Sequence, residues 1–270
     1  MGRTRQPSGK SNQDEFPSGS QSQASQNQSQ SQATTSLTQA EKAAAKLDQK
    51  ELELKVNDLV QYLLIMDQKK YPIKKVDINK VVLKDTSNKA FPLVMKRASE
   101  KLADIFGIDV IELQDKQKGS YILISKYEID ADKPNVVWPE EDNTRMGLLM
   151  IILSLVFMNN NIMQDSEMWH TLKKLGIDPE VPHETFGDVK KLITTEFVRQ
   201  GYLEYIRQPQ TDPSVYDFKW GQRAKAETSK RNILHFVSQM YDVSDPQQWT
   251  SQWQDKENEE EMEVSQANAN

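Results

Sequence analysis

The 270-residue chain carries 40 acidic and 34 basic side chains, a formal net charge of −6, and no cysteine. Lacking cysteine, it has no disulfide, zinc–thiolate site or thiol nucleophile, and the composition fits a reducing compartment. The net charge points to no partner, because residues 242–270 hold eight acids against one base and leave the remainder near +1; nucleic-acid binding is neither demanded nor excluded.

Residues 1–46 form a Ser/Gln-rich arm, with QSQASQNQSQSQ at 21–32 and scarcely a large apolar side chain. Such a segment buries too little surface to offset chain entropy and is expected to be disordered. Residues 242–270 end in KENEEEMEVSQANAN and read as a docking segment, carrying Trp249 and Trp253, followed by an acidic, solvated tail. Between these ends roughly 195 residues remain, enough for two small domains. No secretory leader is visible, and the most apolar run, 146–158, falls short of the ~20 residues that span a bilayer.

The first domain is expected over 47–128. Val56, Leu59, Val60, Leu63 and Leu64, with Leu52 one turn earlier, form a helical stripe over 50–68. Tyr71-Pro72 stops it, since a residue before proline avoids the helical region. A short helix over 75–82 follows, then a third over 91–106 with Val94, Met95, Ala98, Leu102, Ile105 and Phe106 on one face. Segments 110–113 and 121–125 are short strands around the polar turn DKQKGS.

Residues 129–143, with two prolines and five acids, read as a linker. The same order of elements then repeats over 144–241. Helices are expected at 144–159, at a segment capped by Asp165 or Ser166 and burying Met168, Trp169, Leu172 and Leu175, and at 186–200. Period-2 segments 203–206 and 216–220, joined by QPQTDPS, form a wing, and a helix around 233–241 closes the unit. The fold class is therefore mainly α with small β-hairpins: tandem winged helices flanked by disordered termini.

KKLITTEFVRQGYLEY (190–205), TDPSVYDFKWG (211–221), ETSK (227–230) and LLMIILSLVFMNN (148–160) resemble the MAGE homology domain, as does FPLVMKRASEKLADIFGIDVIEL (91–113). The similarity runs over about 52–253. LVQYLLIMDQKKYPIKKVDI (59–78) resembles the branch of that family found in the SMC five–six complex. Gln222 departs from the pattern, which often has proline after the Trp-Gly, and so does Met66, where near relatives tend to be basic.

The resemblance implies a non-catalytic scaffold that bridges a kleisin subunit and a RING-type ubiquitin-ligase subunit, and reaches the SMC heterodimer through the kleisin. It further implies non-specific double-stranded DNA binding, stimulation of the partner ligase, a part in recombination repair, and a place in the nucleus on chromosomes. Leu63 and Leu64 match the family's RING-contacting di-leucine, although their periodicity alone favours a core pair. The 146–158 helix is apolar nearly all round. Leu148, Ile151, Ile152, Leu155 and Val156 make one stripe for the core, and Leu149, Met150, Leu153 and Phe157 are left for the first domain or, by the resemblance, for a kleisin helix. An ordinary buried helix is the alternative.

Candidate phosphate contacts are Lys173, Lys174, Lys190, Lys191, Arg207, Lys219, Arg223 and Lys225. Interspersed acids, 11 against 12 bases over 144–241, favour a solvated charged face on the residues alone, and DNA contact is what the resemblance implies. Lys69, Lys70, Lys74 and Lys75 form a smaller basic group in the first domain. His170, His183 and His235 lack metal-ligand spacing, and no phosphate loop, dinucleotide loop or nucleophile elbow appears, so no metal, cofactor or catalysis is expected. Two other readings stay open on the residues: a winged-helix transcription factor, and a tumour-antigen-type MAGE adaptor of another ligase that does not bind DNA.

Overall fold

A computed structural model describes residues 49–84, 88–127 and 139–267. The expected arm at 1–46 and most of the expected linker lie outside these residues.

In the first module, helix α1 (Gln49–Asp67) buries Leu52, Val56, Leu59, Val60 and Leu63 on the stripe that its spacing dictates. Strand β1 (Ile73–Lys74) leads into α2 (Lys75–Ile78), which runs on as a π-helical turn, Asn79–Leu83. Helix α3 (Phe91–Phe106) packs along α1, with a lysine–glutamate pair, Lys101–Glu53, joining them at the surface. Strands β2 (Ile108–Glu112) and β3 (Ser120–Ser125) pair antiparallel, and β1 adds to the other side of β3, giving the order β1-β3-β2. The hairpin is thus a three-stranded sheet, with a two-residue strand too short to show as a period. Ile105 and Phe106, expected inside, are exposed, because the core covers α3 only as far as Leu102. The helix stops at Gly107, whose φ of 61° suits a residue without Cβ.

The second module repeats the plan. Helix α4 (Glu140–Met158) starts earlier than its apolar run suggests. Pro139 caps it, and Glu140, Glu141 and Asp142 occupy the first turn, where negative charge complements the helix dipole. Those acids belong to a helix and not to the linker. Strand β4 (Met163–Gln164), helix α5 (Asp165–Lys174), a helix over 189–200 (α6), strands β5 (Leu203–Arg207) and β6 (Tyr216–Trp220), and helices α7 (Gln222–Glu227) and α8 (Lys230–Met240) follow. The sheet order is β4-β6-β5, matching the first module.

Neither Asp165 nor Ser166 caps α5. Gln164 holds that place without a side-chain bond, and Asp165 accepts from the Tyr205 hydroxyl at 3.0 Å. Leu175 is exposed, since α5 has ended and Gly176, at φ 85°, turns the chain away. Helix α6 begins at Val189, not at 186, with Asp188 accepting from the Lys191 N–H at 2.9 Å. Its middle, Leu192–Phe197, is π-helical, and still buries Val189, Leu192, Ile193 and Phe197 as the spacing predicts.

The C-terminal segment differs most from its composition. Residues Thr250–Ala267 form helix α9. Trp249 and Trp253 pack half-buried on the second core, and the Lys230–Asp255 ion pair at 2.7 Å holds the acidic helix beside α8. Two indole anchors and cross-helix charges supply what the polar sequence lacks.

Candidate partner and nucleic-acid surfaces

The 146–158 helix distributes its apolar residues differently from the stripe assignment. Leu149, Leu153 and Phe157 are buried with Leu148, Ile152 and Val156, all inside the second module's own core. The Trp220 indole N–H donates to the Leu153 carbonyl at 2.9 Å, and the Phe157 and Trp220 rings lie 6.0 Å apart. The expectation that these three side chains await another surface is corrected: α8, β6 and the C-terminal tryptophans wrap a wider arc of α4 than one stripe. Met150 alone of the four is only half-buried. Ile151 and Leu155, assigned to the core by periodicity, are half-buried with Met158, and Met146 is exposed.

Leu63 is fully buried in the first core, and Leu64 packs against that core half-buried. The next two residues, Ile65 and Met66, stand out at 54% and 40% exposure. An apolar corner therefore continues the di-leucine into solvent.

The eight cations do not form one surface. Lys173 pairs with Asp178 at 2.9 Å and Lys190 with Glu180 at 3.4 Å, so the end of α5 and the start of α6 converge on the 178–180 turn. The hydrogen bond to Asp178 raises the Lys173 ammonium pKa and holds the Asp178 carboxyl below its usual range. Lys174 and Lys191 are exposed beside them. In the wing, Leu203, Tyr205 and Arg207 oppose Trp220, Phe218 and Tyr216 on the inner face, whereas Lys219 opposes Glu204 on the outer one. Arg207 and Lys219 are therefore on opposite faces of the sheet. Lys225 is exposed on α7.

Arg223 is corrected outright, because it is fully buried and unavailable to phosphate. Its Nε donates to the Gln200 carbonyl at 2.9 Å, and one Nη donates to Glu227 at 2.9 Å and to the Leu123 carbonyl of the first module at 3.5 Å. The other Nη faces Asp67, at the end of α1, at 3.8 Å. The Tyr202 hydroxyl donates to Glu227 at 2.8 Å, and burial pushes that phenol far above its ordinary pKa. Arg223 thus joins the two winged helices.

Three further contacts cross the same joint. The Tyr71 hydroxyl donates to Glu196 at 2.7 Å, with the Arg199 guanidinium 4.2 Å from the Tyr71 ring. The Gln222 side chain accepts from the Gln114 N–H at 2.7 Å and donates to the Gln114 carbonyl at 3.0 Å. A cleft of about 510 Å³ opens between the modules, lined by Leu123, Ile124 and Tyr127 on one side and Met146, Leu192 and Phe197 on the other. Sequence reasoning missed this joint, since its residues are isolated polar side chains without periodicity. The one available signal was Arg223 following Trp220-Gly221, where the glycine allows close backbone approach.

Among the described residues no cluster of His, Cys, Asp or Glu has metal-binding geometry, and no helix is long and apolar enough to cross a membrane. His183 accepts at Nδ1 from the Thr185 N–H at 3.1 Å, a local turn contact.

A family model for the MAGE homology domain matches residues 59–231. The human "Non-structural maintenance of chromosomes element 3 homolog" is 46% identical over 215 residues, covering 80% of this chain and 69% of the relative. The mouse protein of that name is 47% identical over 206 residues, covering 76% and 72%. Human "Melanoma-associated antigen D2" is 42% identical over 205 residues, 76% of this chain but 33% of the relative. A chain of a solved "Nse1-Nse3-Nse4 complex" superposes with a TM-score of 0.73 at 44% identity, over 78% of this chain and 99% of that one.

Proposed function

The chain belongs to the MAGE homology domain family, and from that membership we propose that it is the non-catalytic MAGE subunit of an SMC five–six complex. The observation that carries the reading is the fit to a chain of the Nse1-Nse3-Nse4 complex along 99% of that chain's length. In that role it bridges a kleisin and a RING-type ubiquitin-ligase subunit, stimulates the ligase without transferring ubiquitin, and acts on nuclear chromosomes in recombination repair.

Burial supports the choice of surfaces. The kleisin helix packs on the accessible side of α4, where Met146, Met150, Ile151, Leu155 and Met158 retain exposed apolar area, a helix-in-groove mode suited to methionine's adaptability. The RING subunit takes the corner formed by Leu64, Ile65 and Met66, while Leu63 holds the helix beneath it. Duplex DNA is gripped by its phosphates at Lys173, Lys174, Lys190 and Lys191. Exposed ion pairs such as Lys190–Glu180 hold little energy, so phosphate exchanges readily for the carboxylate.

Reconstitution with kleisin and RING subunits tests the proposal. Leu155→Glu is expected to release the kleisin, and Ile65→Glu the RING subunit, each with unchanged thermal stability. Failure of the wild-type chain to hold either subunit overturns it. For DNA, reversing Lys190 and Lys191 to Glu is expected to flatten the salt dependence by about 0.9 per lost phosphate contact. An unchanged slope removes them from the interface.

A further inference from the structure

The first turn of α8 is already engaged by the chain's own acids. Asp255 accepts from the Lys230 ammonium at 2.7 Å, Glu259 accepts from the Lys230 backbone N–H at 2.8 Å, and Glu260 faces Arg231 at 3.7 Å. The Lys230–Asp255 pair is largely covered, with side chains 19% and 30% exposed, so salt screens it less than a surface pair.

Charge alone does not hold α9 there. Trp249 and Trp253 pack on the second core. Gln252 donates to the Met158 carbonyl at 2.9 Å, Ser251 donates to Asn160 at 2.9 Å, and Asn161 donates to Asp255 at 2.6 Å. The apolar anchors and the α4 end thus fix α9 in position, and that position puts Asp255 on the Lys230 ammonium, Glu259 on the Lys230 N–H, and Glu260, itself paired with Lys256 at 2.9 Å, near Arg231. Beyond them Glu261 lies in solvent.

A carboxylate row on Lys230 and Arg231 offers those groups what a phosphate backbone would offer them. We propose that α9 is an intramolecular strap that covers Lys230, offsets the charge of the exposed Arg231, and holds down the second module's affinity for duplex DNA. The inference rests on the DNA reading given under the proposed function. When α9 is released, both cations join the phosphate-contacting set.

The test is a salt titration of the full chain on a mixed-sequence duplex, read by fluorescence anisotropy. In one variant Asp255→Asn, Glu259→Gln and Glu260→Gln remove the charges while the tryptophan anchors stay. This variant is expected to bind several-fold more tightly, with a salt slope steeper by about 0.9 per released cation. Lys230→Ala with Arg231→Ala is expected to change little in the wild-type chain and to abolish the gain in the neutralised one. A control removing the same number of charges elsewhere, Glu140→Gln, Glu141→Gln and Asp142→Asn, is expected to give no comparable gain.

An equal gain from that control, or a gain that survives loss of Lys230 and Arg231, overturns the strap in favour of a bulk charge effect. Unchanged affinity in the neutralised variant, while wild type binds, overturns the strap alone. No binding by any variant at low salt overturns the DNA reading with it.

Discussion

Arg223 of the second winged helix and Asp67 of the first face each other at 3.8 Å in the interior, with Lys70 pairing to the same carboxylate from the surface side. Arg223 and Asp67 therefore meet as charges across the joint, and the hydrogen bonds of Arg223 go to Gln200, Glu227 and Leu123. A fork of five donors serves this geometry as an ammonium could not.

Removing the guanidinium takes the buried cation from Asp67 and Glu227, which keep Lys70 and the Tyr202 hydroxyl, and leaves the Gln200 carbonyl without its donor. Arg223→Met is expected to destabilise the joint by about 1–3 kcal/mol, the range for a buried hydrogen-bonding group left without its partner. Arg223→Lys is expected to recover part of this. Calorimetry checks both, and Lys225→Ala, an exposed neighbour, serves as the reference with no change in Tm.

Burial separates core from interface on α4. Phe157→Ala is expected to lower stability by about 3–5 kcal/mol through loss of transfer energy and the cavity left against Trp220. Leu153→Glu is expected to unfold the second module, seen as loss of protected amides in hydrogen exchange. Leu155→Glu is expected to leave exchange protection intact.

Gly221 sits where a Cβ would lie 2.1 Å from the Gly201 carbonyl oxygen. The neighbour is backbone and cannot rotate away. Gly221→Ala is expected to cost about 3 kcal/mol, the upper end of the overpacking range, and chemical denaturation measures it. The same change at Gly147, where an added Cβ meets nothing within 4 Å, is expected to be tolerated and, mid-helix, mildly favourable.

The strap has an acid limit. Burial by itself raises the Asp255 pKa, but the hydrogen bonds from Lys230 and Asn161 and the attraction of Lys230 outweigh it, leaving the carboxyl below its ordinary 3.8. A folded-state pKa below the unfolded one contributes stability that is complete above 3.8 and is lost as pH falls through the lower value. Tryptophan fluorescence from Trp249 and Trp253 is expected to report undocking of α9 in that acid range. Asp255→Asn is expected to remove Asp255's share of the pH dependence.

Helix stripes such as Val56–Leu59–Val60–Leu63 and the alternation of 216–220 were legible because burial repeats with the period of the element. The same rule failed on the 146–158 part of α4, which is apolar nearly all round so that period carries little direction; which side faces inward depends on α8 and the C-terminal tryptophans. It failed at Ile105 and Phe106 because a stripe can outrun the core that covers it. Two-residue strands such as Ile73–Lys74 have no period at all. Arg223 resembled a solvated cation because nothing local reveals that Asp67, 156 positions earlier, closes over it.

The bond between Gln222 and Gln114 makes position 222 selective in a way that position 114 is not. One primary amide reads a main-chain donor and acceptor together, so any residue but proline at 114 keeps the bond, while glutamate at 222 forfeits the donor and lysine the acceptor. Proline, which the family pattern often carries at 222, forfeits both. The joint between the two modules is therefore tied at position 222 by a stitch that depends on a single primary amide.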